Sequence, residues 1–100
     1  MRRAEIIDRL KRAEPALRQS GVAALYLFGS YARDEAADDS DIDVFVVATS
    51  DAAFGFLDYM DAYEAIRRSV GNDIEIGYST REGLSPYIRE KVESEAIRVF

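Results

Sequence analysis

Cysteine and histidine are both absent from the 100 residues, and proline occurs only twice. Without cysteine there is no disulfide framework, no thiolate nucleophile and no thiolate metal site. Without histidine the usual imidazole base and zinc ligand are missing as well. Long apolar runs are also lacking: no stretch approaches the roughly 18 residues that span a bilayer, and Met1-Arg2-Arg3-Ala4-Glu5 turns acidic before any apolar segment develops. A cytoplasmic protein with neither signal peptide nor membrane span is therefore expected. Basic residues are in the minority, 13 Lys and Arg against 19 Asp and Glu, which leaves a net charge of -6. That balance repels a phosphate backbone, so direct nucleic-acid binding is not expected. What remains for chemistry is carboxylates, hydroxyls, Lys, Arg and backbone groups.

The length, with 48% hydrophobic and 32% charged residues, implies one globular domain over residues 1–100. A chain of this size buries roughly 60–65% of its unfolded surface, enough for one core but not for an enclosed multi-domain cleft. A large ligand must then be held partly by something else.

Ile6, Ile7, Leu10, Ala13 and Leu17 recur at a spacing of three or four, which predicts an amphipathic helix that Pro15 kinks or restarts. After Gly21, the uninterrupted apolar run Val22–Phe28 predicts a strand in the middle of a sheet. A short helical turn opened by Ser30 and an exposed loop around Asp38 to Ser40 lead to a second strand, Ile42–Val47. Phe54, Leu57, Met60, Tyr63, Ile66 and Val70 keep helical spacing, with Gly71 placed as a C-terminal cap. Ile74–Tyr78 alternates as a third, half-covered strand; Ser85-Pro86 opens a last helix whose apolar face is Ile88, Val92 and Ala96, and Ile97–Phe100 adds a short final strand. The order predicts an α/β (α+β) fold, a small mixed β-sheet flanked by helices.

One constellation stands apart from this scaffold. Phe28-Gly29-Ser30 ends the buried strand, ten residues follow, and Asp41-Ile42-Asp43 opens the next strand. Residues i and i+2 of a strand share a face, so Asp41 and Asp43 project together while Ile42 points into the core. Like charges forced that close call for a cation, and clustered hard oxygens suit Mg²⁺ or Mn²⁺. Gly29 permits close approach of a ligand to the backbone, and the amides around Ser30 open a helical turn whose donors face outward. A phosphate cradle beside a metal site has the parts to hold a magnesium-bound triphosphate.

The run Leu27-Phe28-Gly29-Ser30-Tyr31-Ala32-Arg33, the ten-residue gap and Ser40-Asp41-Ile42-Asp43-Val44-Phe45-Val46 resemble the signature of the polymerase-beta-like nucleotidyltransferase superfamily, and the length is similar to its minimal nucleotidyltransferases. Glu82-Gly83-Leu84-Ser85-Pro86-Tyr87-Ile88-Arg89 resembles their C-terminal segment. The resemblance implies the nucleotidyltransferase fold, with Gly29 and Ser30 on the β- and γ-phosphates of an NTP and Asp41 and Asp43 on two metal ions. It also implies a third carboxylate on a later strand, helping to bind the second metal and acting on the attacking hydroxyl. Glu75 is the favoured residue, with Asp73 two positions earlier as the alternative. Glu75 departs from the family's usual Asp, and its extra methylene would shift the metal or the base by roughly an ångström, which can cost ~10²-fold in rate. Minimal nucleotidyltransferases of this kind are commonly antitoxins of HEPN-type ribonuclease toxins, so the resemblance implies transfer of AMP from ATP to a toxin tyrosine. The alternative is an antitoxin that neutralises its partner by binding alone, with a degenerate site.

Several residues have plainer readings. Arg33 is either a bidentate phosphate ligand or a surface arginine beside Asp34 and Glu35. Lys11 and Lys91 read as solvated helix faces, and Tyr59, Tyr63, Phe54 and Phe56 as core and rim. The third strand or Ile97–Phe100 offers an edge for a homodimer, though nothing in the sequence demands one.

Overall fold

The computed structural model describes residues 2–100. Two short helices, α1 (Arg3–Lys11) and α2 (Glu14–Gln19), precede strand β1 (Val22–Phe28). Helix α3 (Gly29–Ala32), strand β2 (Ile42–Ala48), helix α4 (Phe56–Val70), strand β3 (Ile76–Thr80), helix α5 (Pro86–Glu95) and strand β4 (Ile97–Arg98) follow. The sheet order is β3-β2-β1-β4, with β1 antiparallel to both neighbours and β2 parallel to β3. This is the expected mixed sheet with helices packed on it, and β1 is an interior strand as predicted. Pro15 restarts the N-terminal helix by occupying its first turn, where a missing N–H costs nothing.

Strand alternation decides what each face carries. Leu25 and Leu27 of β1 and Ile42, Val44 and Val46 of β2 are fully buried in one cluster with Ile6 and Leu10 of α1, Leu17 of α2 and Ile66 of α4. The intervening residues Tyr26, Phe28, Phe45 and Val47 form a second cluster with Leu84 and with Val92 of α5. Asp43, between Ile42 and Val44, therefore belongs to the α5 face. The aromatic rings of Tyr26 and Phe45 stack there at 4.9 Å.

Two expectations need correction. The buried stripe of α4 is Ala62, Ala65, Ile66 and Val70, whereas Leu57 is 75% exposed and Phe56 74%. The helix begins at Phe56, and its small alanines allow closer packing than the larger residues assigned to that face. The third strand begins at Ile76 rather than Ile74. The Ile74 carbonyl accepts from the Arg67 guanidinium, which also bonds the Gly71 carbonyl at 3.1 Å, so these two carbonyls are tied to α4 instead of to the ladder.

A tyrosine lock joins α4 to β3. The Tyr78 hydroxyl donates to the Tyr59 carbonyl at 2.9 Å, and the Tyr59 and Tyr78 rings lie 4.6 Å apart. Burial, followed by the neighbouring Tyr59, pushes the Tyr78 hydroxyl above its ordinary pKa, so it serves as a donor and not as a proton shuttle. Tyr78→Phe is expected to cost about 1 kcal/mol, the usual net value of one hydrogen bond, as read from urea unfolding.

Candidate active site

The site is assembled where β1 ends and β2 begins. Phe28 pairs with Asp43 across the two strands, so the chain leaving β1 is placed beside the carboxylates entering β2. Gly29 takes φ 74°, a left-handed conformation that an L side chain rarely adopts, and α3 starts there, one residue before the predicted Ser30. No side chain caps α3, which leaves its opening amides free of side-chain acceptors. The following loop is pinned by Glu35 N–H donating to the Ser30 carbonyl at 2.9 Å and Ala37 N–H donating to Ser40 Oγ at 2.8 Å.

An open cleft of about 440 Å³ brings Gly29, Ser30, Arg33, Ser40, Asp41 and Asp43 together, and Phe28 also lines it. Ile42, between the two aspartates, is fully buried, as the strand alternation requires. The far wall comes from α5: Ile88, Lys91, Val92 and Glu95, an i, i+3, i+4, i+7 stripe. Lys91 thus faces the cleft and is not merely part of a solvated helix face.

Asp43 is the electrostatic centre. Burial first, and the Asp41 charge second, raise its pKa above the ordinary carboxylate value, while Arg33 acts in the opposite sense. A partly desolvated carboxylate beside another carboxylate is a donor pair for a hard divalent cation. Asp43 is also wedged between two glycines: a Cβ on Gly29 would collide with Oδ2, and one on Gly77 of β3 would collide with Oδ1. Register explains the second contact, because Gly77 pairs with Asp43. An isolated glycine inside an alternating strand was the sequence signal for this close approach.

Arg33 lines the cleft yet is already engaged. Its Nε donates to Glu35 at 3.2 Å and its Nη1 to Glu95 at 3.1 Å, which docks α3 on α5. Glu75 is exposed, one residue before β3, and its carbonyl accepts from Ile42 N–H at 2.9 Å. The backbone thus runs beside Asp41, but among the described residues no three His, Cys, Asp or Glu side chains are close enough to share a metal. Asp73 lies in the exposed bend before it. The structure brings together Asp41 and Asp43, and does not add Glu75 or Asp73 to them as a three-carboxylate cluster.

A mixed sheet carrying a glycine-serine turn and an Asp-x-Asp strand in one cleft defines the nucleotidyltransferase class. The nucleotidyltransferase domain family matches residues 4–99, and the chain belongs to that family and is a nucleotidyltransferase. A Methanocaldococcus jannaschii chain provisionally named protein adenylyltransferase MJ1379 is 29% identical over 97 residues, 95% of each protein. A solved structure provisionally described as a minimal nucleotidyltransferase superposes with a TM-score of 0.79 at 29% identity, covering 97% of this chain and 95% of that one. The structure of a tri-AMPylated Shewanella oneidensis HEPN toxin in complex with MNT antitoxin matches in fold, with a TM-score of 0.61 at 17% identity over 92% of this chain and 69% of that one. Among the described residues, no helix is long and apolar enough to cross a membrane.

Proposed function

We propose that the chain transfers AMP from ATP to a protein hydroxyl, a tyrosine of a HEPN-type toxin, and acts as its antitoxin. The observation that carries this reading is the cleft in which Asp41 and Asp43 face the Gly29-Ser30 turn. Its openness supports a protein acceptor, since a partner surface can supply both the hydroxyl and the closure over the nucleotide. The provisional name of MJ1379 and the AMPylated toxin bound to the Shewanella antitoxin support the same chemistry.

In this reading Gly29 and Ser30 hold the β- and γ-phosphates through backbone amides, and Arg33 lies within the same wall. The two-carboxylate donor set of Asp41 and Asp43 fits Mg²⁺, with Mn²⁺ as a substitute, and Glu75 is the proposed third carboxylate. When bound, the cations polarise the α-phosphate and stabilise departing pyrophosphate. Asp41 and Asp43 would hold the cations that keep the triphosphate oriented for in-line attack by the acceptor hydroxyl; the new P–O bond forms as the α–β bridge breaks, pyrophosphate leaves, and the hydroxyl proton passes to Glu75. The longer Glu75 side chain must reach back toward Asp41 from outside the strand for the triad to close.

The test is incubation with Mg²⁺, ATP and the HEPN-type protein from the same genome, with both proteins weighed intact. AMP units appearing on the toxin, and absent with Asp41→Asn, are expected. The alternative, neutralisation by binding, is favoured by the separation of Glu75 from the aspartate pair; unchanged masses alongside a stable complex would establish it instead.

A further inference from the structure

The cleft's two cations are unequally placed. Arg33 spends its guanidinium on Glu35 and Glu95, whereas Lys91 forms no ion pair among the described residues. Lys91 sits one helical turn after Ile88 and one turn before Glu95, on the α5 stripe that faces Gly29, Ser30 and Asp43. We infer that Lys91 is the phosphate-binding cation of the cleft, contacting the β- and γ-phosphate oxygens that leave as pyrophosphate, while Arg33 serves to position α5. The inference rests on the nucleotidyltransferase reading and names a residue beyond its motif.

Three physical points favour Lys91. The carboxylates Asp41, Asp43 and Glu95 outnumber Arg33 and Lys91 in the cleft walls, so a polyanion needs every available positive charge. An ammonium on a flexible four-carbon stem can follow phosphate oxygens as they depart, whereas a guanidinium held through Nε on Glu35 and Nη1 on Glu95 is fixed in place and has only Nη2 left to offer. Lys91 is exposed, so no internal bond must be broken before it engages.

The test compares ATP and AMP affinities, with Mg²⁺ present, for the wild type, Lys91→Gln, Lys91→Arg and Arg33→Gln. Lys91→Gln is expected to weaken ATP about tenfold, the scale of one charge-assisted hydrogen bond, and to leave AMP binding and the thermal melt unchanged. Lys91→Arg is expected to recover most of the ATP affinity. Arg33→Gln is expected to lower the melting temperature with a smaller effect on the ATP-to-AMP ratio. An unchanged ATP affinity in Lys91→Gln, or equal losses for ATP and AMP, overturns the inference and leaves the enzyme reading standing. A wild type that binds no nucleoside triphosphate overturns both.

Discussion

Asp43→Asn is expected to slow nucleotidyl transfer by on the order of 10²–10³-fold, the scale of losing one preorganised charge-stabilising group, while making the metal-free protein more stable. The two effects have one origin. Asp43 is held partly out of water and beside Asp41, which suits it to a cation and penalises it without one. Its folded-state pKa is raised, so the native state binds this proton more tightly than the unfolded chain does. Unfolding free energy therefore falls as pH rises through the folded pKa. The deficit is fully present above the folded-state pKa and disappears once the pH drops below the ordinary aspartate value. Asparagine removes it, so the variant's advantage in thermal melts should be largest near pH 7 and vanish in acid. A variant that melts lower at pH 7, or that retains transfer, contradicts this assignment.

Gly77→Ala is expected to reduce transfer by ~10²-fold, the cost of roughly an ångström of misplacement at a reacting centre, with little change in stability. Gly77 needs no unusual backbone conformation, since its φ is not positive. Its added methyl would meet Asp43 Oδ1 and push the carboxylate aside. Gly29→Ala provides the contrast, because there the same collision at Oδ2 is joined by a left-handed φ of 74°. That variant should lose activity and also about 1–2 kcal/mol of stability. Rate measurements beside urea unfolding separate the two glycines. If Gly77→Ala were as active as the wild type, Asp43 would not need its present position.

Much of this site was legible in the residues. The apolar run Val22–Phe28 named an interior strand because a strand covered on both faces has no polar positions to show. Asp41-Ile42-Asp43 declared its own face, since only strand alternation places a fully buried isoleucine between two cleft-facing carboxylates. Long-range pairing was less accessible. That Gly77 flanks Asp43 depends on the parallel register of β2 and β3, and that Lys91 faces the cleft depends on the angle at which α5 crosses the sheet. Neither quantity is written locally. The α4 stripe misled for a related reason: large apolar residues at helical spacing outweighed Ala62 and Ala65, although small residues are what let the helix approach the core. Glu75 illustrates the limit at a strand end, where Arg67 captures the Ile74 carbonyl and delays the ladder until Ile76.

The central claim, that Asp41 and Asp43 opposite the Gly29-Ser30 turn form a cation-dependent nucleotide site, is tested most directly by calorimetric titration of a non-hydrolysable ATP analogue. Binding that requires Mg²⁺ in the wild type and is lost in Asp43→Asn is the predicted result. Binding of equal strength without Mg²⁺, undiminished in Asp43→Asn, would contradict it.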